Sequence, residues 1–338
     1  MQGGIKMSIA YIVEAGSSVS CNQKSVIVSY DGMIQSKIAI NELKGVIIGS
    51  HVTVAPEVII KLLKKNITLT WVSNGGKYYG NLQSISNSNE DIRQKQIELQ
   101  YKPDIALELS KKIVTAKIQN QITILRRYNR NRSNEDVVQA IEHMNIFRKN
   151  ISNVANADKL RGLEGITAKY YFHALGKLVD KNFSFDKRSK RPPKDPFNSL
   201  LSLGYTMVGS EVYAAVMACR LDPYFGFMHT LRGRHPALVS DLLEEWRAVI
   251  VDSLVMALVQ GHEILPKHFV DNGKKKGIQL TQEGKICFCQ AYEKKMTQYH
   301  QYHQKKISFR EILFCQVEIF SNAITKMDTT LYEPLKIR

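Results

Sequence analysis

The sequence predicts an α+β fold: a small β-rich N-terminal domain, residues 1–88, followed by a larger all-α helical domain, residues 89–338. Three observations carry this. Short β-branched runs fill the chain as far as residue 85. A helical period takes over at residue 92 and holds almost to the end. The charge divides at the same place: 47 Lys and Arg against 31 Asp and Glu make +16, and residues 1–90, with eight Lys and five acids, hold only +3 of it. The +13 left to the helical part implies an anionic partner, nucleic acid by default. A device for solubility is the bland alternative. The 338 residues, 44% of them hydrophobic, are enough for two real cores.

The strands expected are Tyr11–Val13, Ser25–Val28, Lys37–Ile40, Gly45–Ile48 and Ile67–Val72. Asp31-Gly32 and Asn74-Gly75-Gly76 supply hairpin-type turns. One helix intrudes near Ala55–Lys65, with Pro56 in its first turn. This domain shows no obvious chemistry, and packing or dimerisation is its expected task. The polar, Ser/Asn-rich Ile85–Asp91 reads as the linker. Residues 92–127 form one long helix, or two broken at Pro103, ending in Arg126, Arg127, Arg130 and Arg132. Ser133-Asn134-Glu135-Asp136 caps a helix reaching about Val154. Asp195 and Pro196 begin an apolar core helix over Asn198–Arg220, and a further helix spans about Leu238–Val259. Helices from Thr281 to His303 and from Ser308 to about Asp328 close the chain, after a turn at Lys274-Lys275-Lys276. His300 and His303, at i, i+3, lack an acid to complete a metal set.

No run of 18 apolar residues and no basic-apolar-small leader is present, so a protein without a membrane span is expected. The odd set Cys21, Cys219, Cys287, Cys289 and Cys315 fits no zinc spacing and reads as reduced thiols of a cytoplasmic protein.

The segment around Glu164 organises the rest. At about 100° per residue, Leu160, Tyr171, Leu175 and Leu178 fall on one stripe, with Glu164 in its middle. A carboxylate there meets a cation or loses its charge. Gly162 and Gly165 each give up about 1 kcal/mol of helix propensity and leave bare backbone beside the acid. A partly exposed helix-start Glu paired with Arg161 or Lys169 is the plain alternative. Further on, Asp241, Glu244 and Glu245 cluster opposite the apolar face of Leu242, Trp246, Val249, Ile250 and Leu254, with Asp252 two turns later. Acids in a first turn suit the helix dipole, so a capped, solvated helix start is one reading. The face continues as Ala248, Val251 and Val255, however, and His229 lies just upstream. Glu164, His229 and Glu244, with Asp241 as neighbour, offer carboxylates and one imidazole, a donor set suited to Mg²⁺ or Mn²⁺ rather than to structural zinc. In a basic protein the matching substrate is a phosphodiester.

Residues 180–195 crowd Lys181, Lys187, Arg188, Lys190, Arg191 and Lys194 around Phe183 and Phe185, the pattern of a mobile loop touching a nucleic-acid backbone and exposed bases. Lys187, Arg188, Lys190 and Arg191 are the DNA-binding candidates here. Arg232 and Arg234, in a basic stretch after His229, join them.

Four motifs then occur in order: Leu163-Glu164-Gly165 before Ala168-x-x-Tyr171-Phe172; Arg191-Pro192-Pro193-x-Asp195-Pro196-x-Asn198; Leu221-Asp222-Pro223-Tyr224-x-Gly226-Phe227-x-His229; and Asp241-Leu242-x-Glu244-Glu245-Trp246-Arg247. With them the chain resembles the CRISPR-associated integrase family of spacer acquisition, over roughly residues 8–325. The resemblance implies an N-terminal β domain that builds a homodimer. It implies Glu164, His229 and Glu244 as ligands of Mg²⁺ or Mn²⁺, with Asp241 adjacent. It implies a small second adaptation protein bridging two dimers into a heterohexamer. The reaction implied is attack of a DNA fragment's 3′-hydroxyl on a double-stranded repeat, with related endonuclease activity. Glu244 stands where some relatives carry Asp, and His235, in a long loop, has no assigned role. Two other readings of the same residues are a general branched-DNA repair nuclease and a DNA-binding scaffold whose acids only build structure.

Overall fold

The computed structural model describes residues 8–12, 14–73, 78–82, 84, 90–229 and 235–337. Two four-stranded sheets make the N-terminal domain. In the first, β1 (Ser8–Ile12) and β5 (Leu43–Gly49) run parallel, β5 runs parallel to β7 (Thr68–Val72), and β8 (Tyr78–Leu82) closes it antiparallel. In the second, β2 (Ser18–Cys21), β3 (Ser25–Tyr30) and β4 (Met33–Ala39) form an antiparallel meander, with β6 (Thr53–Val54) parallel on β2. Helix α1 (Pro56–Lys64) packs Val58 and Leu62 into the core shared by both sheets.

The run Val46-Ile47-Ile48 shows why β5 is apolar throughout. Side chains alternate across a strand. Val46 and Ile48 enter the β-domain core, while Ile47 faces the helical domain and meets Ala214 beside Val72 and Tyr11. A strand buried on both faces has no polar side to show. The sequence reading missed β2, β6 and β8, which are short and rich in Ser, Thr, Gly or Asn. The Asn74-Gly75-Gly76 turn and the body of the linker lie outside the described residues.

The helical domain starts with α2 (Glu90–Leu99) and α3 (Pro103–Asn129), separated before Pro103, which takes the first-turn position where its missing N–H costs nothing. Asn134 caps α4 (Glu135–Asn150) by accepting from the Val137 N–H, and Asn156 caps α5 (Ala157–Leu178) by accepting from Lys159. Asp195 does the same for α6 (Pro196–Ala218). By length and composition α6 could cross a membrane, but α7 (Ala237–Leu243) and α11 (Phe309–Lys326) pack on it and most of its apolar face is spent on the core.

The expected 238–259 helix is interrupted. After α7 the chain turns at Glu244–Glu245, widens into a π-helical segment over Arg247–Asp252 and resumes as α8 (Ser253–Gln260). The element is buried on nearly every face, its acids included. The solvated acidic face therefore does not exist: Asp241, Glu244, Glu245 and Asp252 are all buried.

Two small ribbons depart from the all-helical expectation. The first pairs β9 (Phe269–Asp271) with β10 (Ile278–Leu280) around the one-turn α9 (Gly273–Lys276). The expected helix to His303 ends as α10 (Gln282–Thr297), and the chain turns back as β11 (Tyr299–Tyr302) and β12 (Lys305–Ser308). His300 and His303 thus share no helix face; His303 takes a positive φ of 50° at the hairpin turn, and His300 lies 3.9 Å from the Phe309 ring.

Candidate active site

Glu164, His229 and Glu244, from three separate elements, line one cavity of about 880 Å³. Helix α5 brings Glu164 and Gly165; the loop after α6 brings His229; the turn after α7 brings Glu244. A Cβ added at Gly162 or Gly165 would meet nothing within 4 Å, so the two glycines leave space beside the acid.

Glu164 meets a cation from α3 that the sequence reading did not select. The buried Lys117 ammonium contacts the Glu164 carboxylate and lies 2.7 Å from Glu244 Oε2. Arg247 Nε donates to Glu244 Oε1 at 3.0 Å. Burial works to raise the Glu244 pKa, but Arg247 and Lys117 outweigh it and hold the carboxyl well below the usual range. Burial likewise works against the Lys117 charge, and Glu244 and Glu164 more than restore it.

Asp241, the acid adjacent to the ligand candidates, holds His229. It is fully buried, and its oxygens accept from the N–H groups of Phe227 (2.6 Å), Met228 (3.0 Å) and His229 (2.9 Å). His229 Nδ1 lies 2.5 Å from Asp241 Oδ1. With those bonds made, Asp241 has little left for an ion; it positions His229, leaves Nε2 as the uncommitted ring nitrogen and raises the imidazole pKa through that hydrogen bond. The loop before His229 is fastened from α2: Gln96 Nε2 donates to the carbonyls of Asp222 (2.6 Å) and Phe225 (2.9 Å), and Gln100 donates to Gly226.

Lys187, Arg188 and Lys190 line the same cavity. Arg188 is anchored rather than free: it donates to Asn198 Oδ1 (2.8 Å) and Ser202 Oγ (3.0 Å), and its guanidinium lies over Tyr205. The buried Asn198 holds the loop from the other side by donating to the Lys187 carbonyl. The aromatic residues turn inward, correcting the expectation of exposed stacking rings: Phe183 is buried, and Phe185 stacks on Phe197 with centroids 4.7 Å apart. Arg191 is exposed and does not line the cavity. Arg232 and Arg234 lie outside the described residues, and His235 bonds to Ser240 at 2.9 Å.

Behind the cavity, Asp252 accepts from Tyr171 Oη (2.7 Å) and Tyr205 Oη (2.6 Å), and Arg247 lies 4.6 Å from the Tyr205 ring centroid. Of the missed residues, Lys117, Asn120 and Gln121 left a signal. They are polar, at helical spacing, on a stretch of α3 whose neighbours Ile113, Val114, Ile118 and Ile122 are buried.

Among the described residues, no three His, Cys, Asp or Glu side chains stand close enough to hold a metal ion as they are. The donor chemistry nevertheless suits one. Glu244 Oε2 is buried with the Lys117 ammonium 2.7 Å away, and His229 has one ring nitrogen uncommitted. Glu164, His229 and Glu244 are the residues that would serve as ligands, and the Lys117 ammonium stands between the two carboxylates.

A family model described as CRISPR associated protein Cas1 matches residues 10–294. CRISPR-associated endonuclease Cas1 3 of Thermus thermophilus is 30% identical over 345 residues, covering 100% of this chain and 99% of its own length. CRISPR-associated endonuclease Cas1 of Mycobacterium tuberculosis is 31% identical over 282 residues, covering 83% and 82%. Among solved structures, a chain of a partial Cas6-RT-Cas1–Cas2 complex is similar with a TM-score of 0.83 at 22% identity, covering 98% of this chain and 99% of that one. A casposase bound to integration product gives 0.76 at 19% identity, covering 98% and 100%. The two structures share its fold.

Proposed function

We propose that this chain, which belongs to the Cas1 family of CRISPR-associated proteins, is a divalent-metal-dependent DNA endonuclease and integrase that inserts DNA fragments into a repeat array. The observation that carries this reading is that Glu164, His229 and Glu244 share one cavity with Lys187 and Lys190. When bound by those three ligands, Mg²⁺ or Mn²⁺ would polarise a phosphoryl oxygen and offset charge on the leaving oxygen. The protein's own groups do the rest. Asp241 fixes the His229 tautomer and orientation. Arg247 keeps Glu244 ionised inside a buried site. Lys187 and Lys190 draw the DNA backbone to the cavity, where a fragment's 3′-hydroxyl attacks the repeat phosphodiester. The similar chains solved with a Cas2 partner and with an integration product support two partners, DNA and a small second adaptation protein. A homodimer formed through the β domains, two of which the second protein bridges into a heterohexamer, completes the proposal.

The test is strand transfer into a supercoiled array plasmid with Mn²⁺ or Mg²⁺. Glu164→Ala and His229→Ala are each expected to lose nearly all joining while still binding DNA; wild-type joining by either would reject the assignment. One observation favours a DNA-binding scaffold instead: Lys117 and Arg247 already compensate both carboxylates. A scaffold's melting temperature would not respond to Mn²⁺, whereas an ion at a hundred times its dissociation constant adds about 2.7 kcal/mol.

A further inference from the structure

We propose that Lys117 is a built-in counter-cation that occupies the position between Glu164 and Glu244 and gives it up when a divalent ion enters. This deepens the metal-dependent reading above and rests on it. A buried ammonium costs several kcal/mol unless it is well paired, and Lys117, only 6% exposed, lies on a stretch of α3 where Ile113, Val114, Ile118 and Ile122 are buried. Its partners come from two other elements, Glu164 from α5 and Glu244 from the turn after α7. Lys117 and Arg247 together balance those two acids, which would otherwise repel one another in a largely buried site. The Lys117 ammonium lies 2.7 Å from Glu244 Oε2, the distance of a charge-assisted contact that a second cation would compete for.

The consequence is competition. Two cations that want one pair of carboxylates weaken each other, and the coupling is reciprocal. Any anion that receives the Lys117 ammonium must therefore tighten metal binding. A DNA phosphate is the anion that the cavity attracts, because Lys187, Lys190 and Arg247 line it with Lys117. Metal and DNA thus load cooperatively, and the free protein holds its metal weakly.

The experiment measures Mn²⁺ binding by calorimetry for the full chain, for Lys117→Met and for Lys117→Gln, with and without a short DNA duplex. Without DNA, the variants are expected to bind Mn²⁺ about tenfold more tightly than wild type, within the usual span of site coupling. The duplex should tighten Mn²⁺ binding for wild type and leave the variants unchanged. In parallel, wild-type protein is treated with an amine-acetylating reagent and Lys117 modification is read by mass spectrometry; Mn²⁺ should raise it several-fold. Folded variants that bind Mn²⁺ no more tightly than wild type overturn the proposal, as does Lys117 labelling that stays constant at saturating Mn²⁺. If the variants do not fold, the labelling of the wild type decides. Wild-type protein that binds no Mn²⁺ with or without DNA instead rejects the metal-dependent function itself.

Discussion

Asp252 shows how burial decides what a carboxyl does. It lies behind the cavity, held by Tyr171 and Tyr205, and burial pushes its pKa up to about 6 from the ordinary 3.8, against the pull of those hydroxyls. The folded state therefore holds this proton more tightly than the unfolded chain. Below 3.8 both states are protonated; between 3.8 and about 6 only the folded state is, so stability falls as pH rises through that window and levels off above it. The loss amounts to about 3 kcal/mol at most, from the shift converted at about 1.36 kcal/mol per unit. Asp252→Asn does not titrate, so it should gain on the wild type as pH rises from about 4 to about 6. Denaturant unfolding of both proteins across that range checks it; a constant difference would mean that Asp252 is already ionised in the fold. Glu244 is equally buried yet goes the opposite way, because Arg247 and Lys117 face it where Asp252 faces hydroxyls. The direction of each shift depends on partners contributed by other helices, which the sequence does not show.

The loop that carries His229 and the helix that carries Asp241 are built against each other. A Cβ at Gly226 would lie 2.6 Å from Asp241 Oδ2 and 2.8 Å from the Ala237 carbonyl carbon, so only glycine lets the loop wrap the carboxylate. Gly226→Ala is expected to destabilise the fold by about 1–3 kcal/mol, the usual range for overpacking, and to reduce strand joining because Asp241 can no longer hold His229. Thermal melting and the joining assay check both; a variant that melts and joins as wild type does would show that the loop is not held this way. The motif Leu221–His229 was readable as a turn, and Asp241–Arg247 as a helix start. What was not readable is that the turn closes on the helix, or that Gln96 on α2 fastens it from outside. The π-helical segment that begins at Arg247 left no periodic trace either, since apolar residues fill its interior, residues 248–251.

At the scale of the molecule the charge division keeps its meaning: the β domain is nearly balanced, and the basic excess lies with the helices that build the cavity. Replacing Lys187, Lys190 and Arg191 together by Gln, and leaving the anchored Arg188 intact, should weaken DNA binding. It should flatten the dependence of log affinity on log salt by about 0.9 for each duplex phosphate that is no longer neutralised. Fluorescence anisotropy across a salt series measures this, and an unchanged slope would remove the loop from the DNA surface. The order of residues alone is enough for the succession of β domain and helical domain, the capped starts of α4 and α6, and the presence of acids where a helix has no wet face. These follow from periodicity, turn chemistry and charge, which act between neighbours in the chain. Packing in three dimensions was needed to establish that Glu164, His229 and Glu244 share a cavity, that Asp241 serves His229, and that Lys117 stands between two carboxylates. A helical period tells which face leaves water; only packing brings a particular face of another helix against it.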